Sequence, residues 1–328
     1  MRCRVRQASR FALLALIPLF SGCSDGSRDF TEERGRPPVL GFSQLVANAN
    51  WNSANTESIR KAALNGGVDL RLEDAHRSQE AQVAQLREFV SQRVDVIAFS
   101  PVVESGWDVV LQEIRAAGIP VILLDRTIEV TDESLYTSLI GSDFVEEGRR
   151  AGRWVLDNTR NEHGQIGIAE LQGSVGSAPA NDRRQGFVEV IRTDPRYRII
   201  RSQSADFDRD RARELMAEFL RAEGRSIRVL FAHSDTMALG AIEAIEQAGF
   251  KPGSDILVVS IEGKREGLEA IVAGKLNATV ECSPLLGPQL IAEVRELAAG
   301  KPVPRRVITK EVLFTRENAA AELPTRVY

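Results

Sequence analysis

Short apolar runs recur along this chain at a steady interval, and that interval is the length of one strand plus one crossover helix. The first four runs begin at Val39, Val68, Val94 and Val121. Between them lie segments with apolar residues at helical spacing, for example within residues 78–93. Strands that alternate with helices in this way form a parallel sheet with helices on both faces. The pattern therefore predicts an α/β fold.

The same alternation occurs a second time further along the chain. Residues 125–165 interrupt it, and it resumes at Ile166 and continues to Ile261. Two comparable halves predict two Rossmann-like lobes. Ligands of open α/β sheets bind beyond the carboxyl ends of the strands, so we expect the lobes to face each other over a ligand cleft. The tail from Val303 onward is predicted to add one more strand.

The first 22 residues have the layout of an export signal. Four arginines precede an apolar run at residues 11–20, which is too short to cross the hydrocarbon core of a membrane. The run ends at residues 19–23, LFSGC, which look like a bacterial lipoprotein signal, so Cys23 is predicted to be the lipidated first residue of the mature protein. An ordinary signal peptide cut nearby is the alternative. Residues 23–38 are predicted to be a tether, and the protein is expected to be exported to the periplasm or cell surface and anchored through Cys23.

Charge and cysteine content narrow the choice of function. The chain carries 42 Lys and Arg against 46 Asp and Glu. Loss of the signal would remove four of these arginines and no acidic residue, so the mature protein would be more acidic. Without a large basic excess, binding to nucleic acid is a poor expectation. If Cys3 leaves with the signal and Cys23 is lipidated, Cys282 stands alone and no intramolecular disulfide is available.

Motifs for nucleotide binding, zinc binding and nucleophilic catalysis are missing from the sequence. The turn at residues 173–176 lacks the spacing of a phosphate-binding loop, and no Gly-x-Ser-x-Gly motif occurs. His76, His163 and His233 do not have the spacing of zinc ligands. We therefore predict no cofactor, no metal and no catalytic residues.

Side chains that suit a small polyol follow the strands of the first half. Ser43 ends the first strand, Trp51 and Asn52 open the helix after it, and Asp125 and Arg126 end the fourth strand. Sugars stack their CH faces on aromatic rings, while neighbouring hydroxyls bind carboxylate, amide and guanidinium groups. These five residues are therefore candidate ligand contacts. A core role for Trp51 and a structural salt bridge between Asp125 and Arg126 are the alternatives.

The second half places similar groups at its strand ends. A helix that follows a Gly-rich turn opens with Arg183 and Arg184, one of which is expected to reach into the cleft while the other is solvated; Arg183 is the preferred candidate. Ser234 and Asp235 end one strand and begin a helix, where helix capping is the competing role. Glu262 and Glu281 end the two strands that follow.

Two further candidates have strong structural alternatives. Asp143 follows the fifth strand, where capping of the next helix is at least as common a use of Asp. Phe207 could stack on a sugar ring, and a hydrophobic staple beside the following helix is an equal contender.

Four short motifs, in this order, resemble those of the ribose- and galactose-type periplasmic sugar-binding proteins that feed ABC importers. They lie at residues 123–126 (LLDR), 170–173 (ELQG), 205–209 (ADFDR) and 237–241 (MALGA). The resemblance covers nearly all of the chain from Val39 onward. Within that family the chain looks closest to the galactofuranose-binding branch, on the residues at 41–44 (GFSQ), 101–103 (PVV), 105–107 (SGW) and 201–204 (RSQS).

The resemblance implies a monomer of two lobes joined by a multi-strand hinge. The first lobe would contain residues 39–142 and 283–302, and the second would contain residues 143–282 and 303–328. It implies the following ligand contacts: Ser43, Trp51, Asn52, Asp125, Arg126, Arg183, Ser234, Asp235 and Glu262.

Three departures from the family pattern affect candidate contacts. Ser234 stands where the family usually has Asn, and Glu262 stands where it usually has Asp. Asn52 stands where the galactofuranose-like proteins have Arg. The shorter donor, the longer acid and the lost cation all predict that this protein binds a different sugar from the proteins that keep the family pattern.

The function implied is capture of a monosaccharide for delivery to an ABC transporter permease. A sugar-sensing subunit that docks on a chemoreceptor or sensor kinase is the alternative. The effector core of a LacI-type repressor shares this architecture, but such a protein begins with a helix-turn-helix, and an export signal stands in that place here. An enzyme with this fold is a further, unsupported option, because fold does not fix function.

Overall fold

Each half of the chain forms a parallel sheet with helices on both faces, as the sequence predicts. The structure is a computed structural model that describes residues 36–46 and 50–328. The first-lobe strands are β1 (Val39–Gln44), β2 (Asp69–Asp74), β3 (Val96–Phe99), β4 (Val121–Leu124) and β5 (Ser138–Gly141). The helices that connect them are α1 (Asn50–Gly66), α2 (Gln79–Ser91) and α3 (Asp108–Ala116). Strands β3, β4 and β5 are buried along their whole length, as expected for strands covered on both faces.

The second lobe repeats this arrangement. Its strands are β6 (Ile166–Gln172), β7 (Tyr197–Ser204), β8 (Ile227–Ala232), β9 (Leu257–Glu262) and β10 (Ala278–Glu281). Its helices are α4 (Phe144–Thr159), α5 (Ala178–Ile191), α6 (Arg209–Glu223), α7 (Asp235–Gln247) and α8 (Arg265–Val272). One apolar cluster contains residues of both lobes, and each lobe has a second cluster of its own.

The C-terminal tail contributes to both sheets. After α9 (Gly287–Ala298), which packs on α1, the chain forms β11 (Arg306–Ile308), β12 (Leu313–Thr315) and the short helix α10 (Ala319–Glu322). Strand β11 lies parallel to β5, and β12 lies antiparallel to β10. The strand orders are β11-β5-β4-β3-β1-β2 and β12-β10-β9-β8-β6-β7.

Two expectations about the tail are corrected by this pairing. The tail forms two strands instead of one, and β11 belongs to the first sheet, although residues 303–328 were assigned to the second lobe. The reason is that β11 and β12 are three-residue edge strands, and β11 is largely exposed. Strands this short and exposed leave no periodic signal that would separate them.

Three segments carry the chain between the lobes. The first is Ser142 and Asp143, between β5 and α4; the second is residues 282–286, between β10 and α9; and the third is residues 309–312, between β11 and β12. Three parallel connections form a hinge that allows the lobes to open and close as units.

Helices α4 and α5 approach each other closely beneath the hinge. A Cβ atom on Gly148 would overlap the carbonyl oxygen of Arg183, and a Cβ atom on Gly186 would overlap the carbonyl oxygen of Val145. The contact is therefore backbone against backbone, and it fixes the start of α5, which carries Arg183.

Gly186→Ala is expected to lower the free energy of unfolding by about 3 kcal/mol, because the added methyl group meets backbone that cannot rotate away. Urea unfolding would measure the change. Gln185→Ala, on the exposed side of the same helix turn, is the control and should have little effect. Equal stability of both variants and the parent protein would contradict the close approach.

The predicted export signal (residues 1–22), the lipidation site Cys23 and the predicted tether up to residue 35 lie outside the described residues. Among the residues that are described, no helix is both long and apolar enough to span a membrane.

Candidate functional site

The carboxyl ends of the two sheets face each other across a cleft with a cavity of about 260 Å³. The first lobe lines it with Leu45, Trp51, Asn52, Arg77, Val102, Val103, Asp125 and Arg126. The second lobe lines it with Phe144, Ser174, Val175, Pro179, Arg183, Asp206, Phe207, Thr236 and Glu262. Cys282, in the second crossing segment, completes the lining.

Asp125 and Arg126 form a tight turn at the end of β4. Asp125 has a φ of +70°, its amide donates to the Ile140 carbonyl at 2.7 Å, and the Arg126 amide donates to the Leu124 carbonyl at 2.9 Å. A non-glycine residue in this region is strained, and such strain clusters at functional sites. Gly141 makes room for the turn, because a Cβ atom there would lie 2.7 Å from the Asp125 carbonyl oxygen.

The charges of this turn are buried and loosely paired. The Arg126 Nε atom lies 3.5 Å from the Asp125 Oδ2 atom and has no hydrogen-bond partner. Burial raises the pKa of Asp125, and the guanidinium groups of Arg126 and Arg183 oppose that rise. Both side chains therefore retain hydrogen-bonding capacity directed at the cavity.

Arg183 reaches the cavity from the first turns of α5. Its Nε atom donates to the Glu147 Oε2 atom at 2.7 Å, and an NH1 atom donates to the His233 carbonyl at 2.8 Å. Its guanidinium lies 5.0 Å from the centre of the Phe144 ring. Burial lowers the pKa of Arg183, but the carboxylate of Glu147 and neighbouring acids outweigh it and raise the pKa overall. The guanidinium is held in one position as a permanent cation.

Glu262 ends β9 with an unusual backbone and an unsatisfied carboxyl group. Its φ is +119°, its side chain is buried, and its Oε2 atom has no hydrogen-bond partner. Burial raises the pKa of Glu262 to about 7, and the positive charge of Lys264 opposes the rise. A buried carboxyl oxygen without a partner is costly unless a ligand satisfies it.

Two aromatic rings flank the cavity from opposite lobes. The Trp51 indole Nε1 donates to the Cys282 carbonyl at 2.7 Å, which fixes the ring at the start of α1. The Phe207 ring covers Gly173, where a Cβ atom would overlap the ring. Both rings present apolar surface to the cavity.

The lobes touch each other at the mouth of the cleft. The Arg77 NH1 atom of the first lobe lies 3.7 Å from the Asp206 Oδ1 atom of the second. The Glu104 side chain accepts a hydrogen bond from Asn181, and the Glu104 amide donates to the Gly176 carbonyl at 3.3 Å. The structure is therefore a closed form.

The described lining residues balance acids against bases. Three acids (Asp125, Asp206 and Glu262) and three arginines (Arg77, Arg126 and Arg183) line the cavity. Charge balance favours a neutral ligand, and the many donors and acceptors favour one rich in hydroxyl groups.

A family model described as a periplasmic binding protein domain matches residues 40–302. The chain belongs to this family. It is 40% identical over 290 residues to the galactofuranose-binding protein YtfQ of Escherichia coli (strain K12), covering 88% of this chain and 91% of that protein. This confirms the family resemblance found in the sequence.

Solved structures of two relatives share the fold of this periplasmic binding protein. One is a Mycobacterium smegmatis protein in complex with beta-D-fucofuranose, with 48% identity, a TM-score of 0.85, and coverage of 88% of this chain and 94% of that one. The other is the binding protein of the arabinose ABC transporter from Shewanella sp. ANA-3, bound to alpha- and beta-L-arabinofuranose. It has 43% identity, a TM-score of 0.84, and coverage of 88% and 95%. The predicted two-lobe fold is confirmed.

Most of the residues that the sequence singled out lie together around the cavity of this periplasmic binding protein. They come from both lobes, as the cleft hypothesis requires. They are Trp51, Asn52, Asp125, Arg126, Arg183, Phe207 and Glu262.

Ser43, Ser234 and Asp235 do not line the cavity, which corrects the prediction for these three residues. Ser43 is fully buried and donates to the Gln85 Oε1 atom at 2.6 Å. Ser234 caps α7 by accepting from the Met237 amide at 3.2 Å.

Asp235 points into the body of its lobe. Its Oδ1 atom accepts from the hydroxyls of Ser260 and Thr279 at 2.5 and 2.6 Å, and its Oδ2 atom accepts from the Lys264 amide at 2.6 Å. These bonds tie α7 to β9 and β10, and the fully buried side chain lies outside the cavity lining.

Asp143 and Glu281 also lie away from the cavity lining. Asp143 caps α4 by accepting from the Glu146 amide at 3.0 Å, which is the alternative role weighed for it. Glu281 accepts from the Arg326 guanidinium at 2.6 Å and from the Tyr328 hydroxyl at 3.0 Å, so it holds the C-terminus on the second sheet.

Sequence reasoning missed Arg77 and Asp206, which line the cavity from equivalent loops of the two lobes. Each belongs to a pair with left-handed backbone, His76–Arg77 after β2 and Asp206–Phe207 after β7. In both loops two such residues follow an alanine and precede a helix cap. Comparing the two halves of the sequence would have revealed this repeat.

Proposed function

We propose that this periplasmic binding protein captures one neutral monosaccharide between its lobes and delivers it to an ABC importer. The observation that carries the proposal is the convergence of Asp125 and Arg126 from one lobe with Arg183 and Glu262 from the other. Only a closed form lets both sets contact one small molecule, so binding would shift the equilibrium toward closure. The permease would recognise the closed form.

We propose a sugar in the furanose ring form. The similar proteins named above bind galactofuranose, fucofuranose and arabinofuranose by their descriptions. Asn52 lines the cavity with an uncharged amide where the galactofuranose-like branch has Arg. The preference among furanoses is therefore expected to differ from that of the galactofuranose-binding relatives.

The proposal includes the cellular setting. The export signal, the lipid anchor at Cys23 and a monomeric state follow from the sequence and the family resemblance. The family consists of solute-binding proteins, and we propose a binding role without catalysis for this chain.

Titration with L-arabinose, D-fucose, D-galactose and D-ribose would test the function by tryptophan fluorescence. Sugar entry would place a CH face against the Trp51 ring, so saturable changes in emission are expected. Trp51→Phe should lose most of the signal, whereas Trp154→Phe, a partly buried residue of α4 outside the lining, should retain it.

Calorimetry with the same sugars would give affinity, and carbon-13 NMR of an anomerically labelled sugar would give the bound ring form. Exclusive binding of pyranose forms would contradict the furanose assignment. Failure of pentoses and hexoses to bind at all would contradict sugar capture.

A further inference from the structure

The three crossing segments of the hinge meet in one polar cluster. The Ser142 Oγ atom of the first segment lies 3.4 Å from the Cys282 Sγ atom of the second and 3.3 Å from the Thr309 Oγ1 atom of the third. Ser142 also donates to the Glu311 carboxylate, which accepts from Thr309 at 2.9 Å as well. Any rotation of the lobes must rearrange these contacts.

Glu147 joins this cluster from the first turn of α4. Its carboxylate, the Glu311 carboxylate and the Cys282 sulfur have oxygen or sulfur atoms within 4.8 Å of one another. Glu147 is only 1% exposed, and its Oε1 atom has no hydrogen-bond partner. Its other oxygen binds Arg183, so the hinge cluster and the cavity share one carboxylate.

The cluster contains two carboxyl groups, those of Glu147 and Glu311, but only Glu147 is paired with an arginine side chain among the described residues. The side chain of Arg183 is committed to Glu147, and the Arg150 guanidinium binds the backbone carbonyl of Glu311 at 2.8 Å instead of its carboxylate. Burial, followed by repulsion from Glu147, raises the pKa of Glu311 to about 8; its bonds to Ser142 and Thr309 and the charge of Arg183 oppose this. Burial likewise raises the pKa of the Cys282 thiol. Burial also raises the pKa of Glu147, so the two neighbouring carboxyl groups favour holding one proton between them.

We propose that Glu311 is a positioning residue for ligand binding: its protonated carboxyl group satisfies Glu147, which in turn holds the Arg183 guanidinium at the cavity. The inference rests on the proposed role of Arg183 in sugar binding. It makes the hinge and the binding site one hydrogen-bonded unit, so the hinge is set for closure only while Glu311 is neutral.

Thermal melting of the sugar-free protein across pH tests whether Glu311 holds a proton in the folded state, and it needs no ligand. When folding raises the pKa of an acid, protonation of that acid stabilises the folded state. This contribution to the free energy of unfolding is complete below the pKa of the unfolded state, and it is lost as pH rises through the pKa of the folded state. The wild-type protein should lose stability relative to Glu311→Gln between about pH 5 and pH 8, and the difference should level off above that. Glu317→Gln, an exposed acid nearby, should run parallel to the wild type.

Affinity for the best sugar of the panel tests the positioning role. For the wild type, affinity should stay nearly constant below about pH 7 and fall by up to about tenfold per pH unit once the pH exceeds about 8. For Glu311→Gln, which keeps the neutral shape, affinity should match the low-pH wild type and stay flat.

Three results would overturn the inference. Parallel melting curves of the wild type and Glu311→Gln at every pH would show that Glu311 carries no shifted proton. A pH dependence of affinity that survives the substitution would show that the hinge does not act on the site. Stabilisation of the wild type by added Zn²⁺, lost in Cys282→Ser, would show that a metal ion rather than a proton occupies the cluster. Absence of sugar binding at all pH values would instead contradict the proposed function, and the melting curves would still decide whether the proton exists.

Discussion

Asp125→Asn is expected to weaken sugar binding by about 3 kcal/mol, or about a hundredfold, while the sugar-free protein melts within a few degrees of the wild type. In the proposed complex the carboxylate would accept from two hydroxyls with charge-assisted bonds, whereas an amide can accept at only one of its two ends. Asn tolerates the positive φ at this position better than Ala does, so the turn itself is preserved.

Calorimetry and melting curves would measure the two effects separately. Asp143→Asn is the matched control, because it makes the same chemical change at a helix cap outside the cavity lining, where Asn caps equally well. A collapse of apo stability in Asp125→Asn, with affinity preserved in the folded fraction, would assign the Asp125–Arg126 pair a structural role.

Arg183→Met is expected to lower the free energy of unfolding by about 3–5 kcal/mol and to abolish sugar binding. Glu147 would then keep a buried carboxylate whose direct cationic partner has been removed. The double variant Arg183→Met/Glu147→Gln should regain most of the stability, because the remaining side chain is neutral, yet it should still fail to bind sugar.

Urea unfolding of the single and double variants would measure this coupling. Arg192→Met, at the exposed end of the same helix, should change stability by less than about 0.5 kcal/mol. If the double variant were no more stable than the single one, the loss would come from packing against Phe144 and not from the unpaired charge.

The fold could be predicted because buried parallel strands carry a strong signal. Strands such as β3 and β9 are apolar along nearly their whole length, and helices of clear period separate them. The division of the tail into two strands could not be predicted, because edge strands such as β11 and β12 gain their stability from backbone pairing more than from buried side chains.

The site was only partly predictable, because a polar residue at a strand end can point in two directions. Glu262 and Asp235 both follow second-lobe strands, but Glu262 faces the cavity and Asp235 turns inward to Ser260. The difference lies in the backbone: Glu262 and Asp125 both have positive φ, which non-glycine residues seldom adopt and which sequence patterns do not reveal. For the other polar residues at strand ends, the direction of the side chain depends on hydrogen-bond partners that lie far away in the sequence.

The contacts between Arg77 and Asp206 and between Glu104 and Asn181 also set the exchange kinetics of a bound molecule. We expect a bound molecule to leave slowly while these pairs bridge the rim, so that its dissociation rate depends on how often they separate. We expect changes at Glu104 and Asn181, which do not line the cavity, to alter affinity through residence time alone.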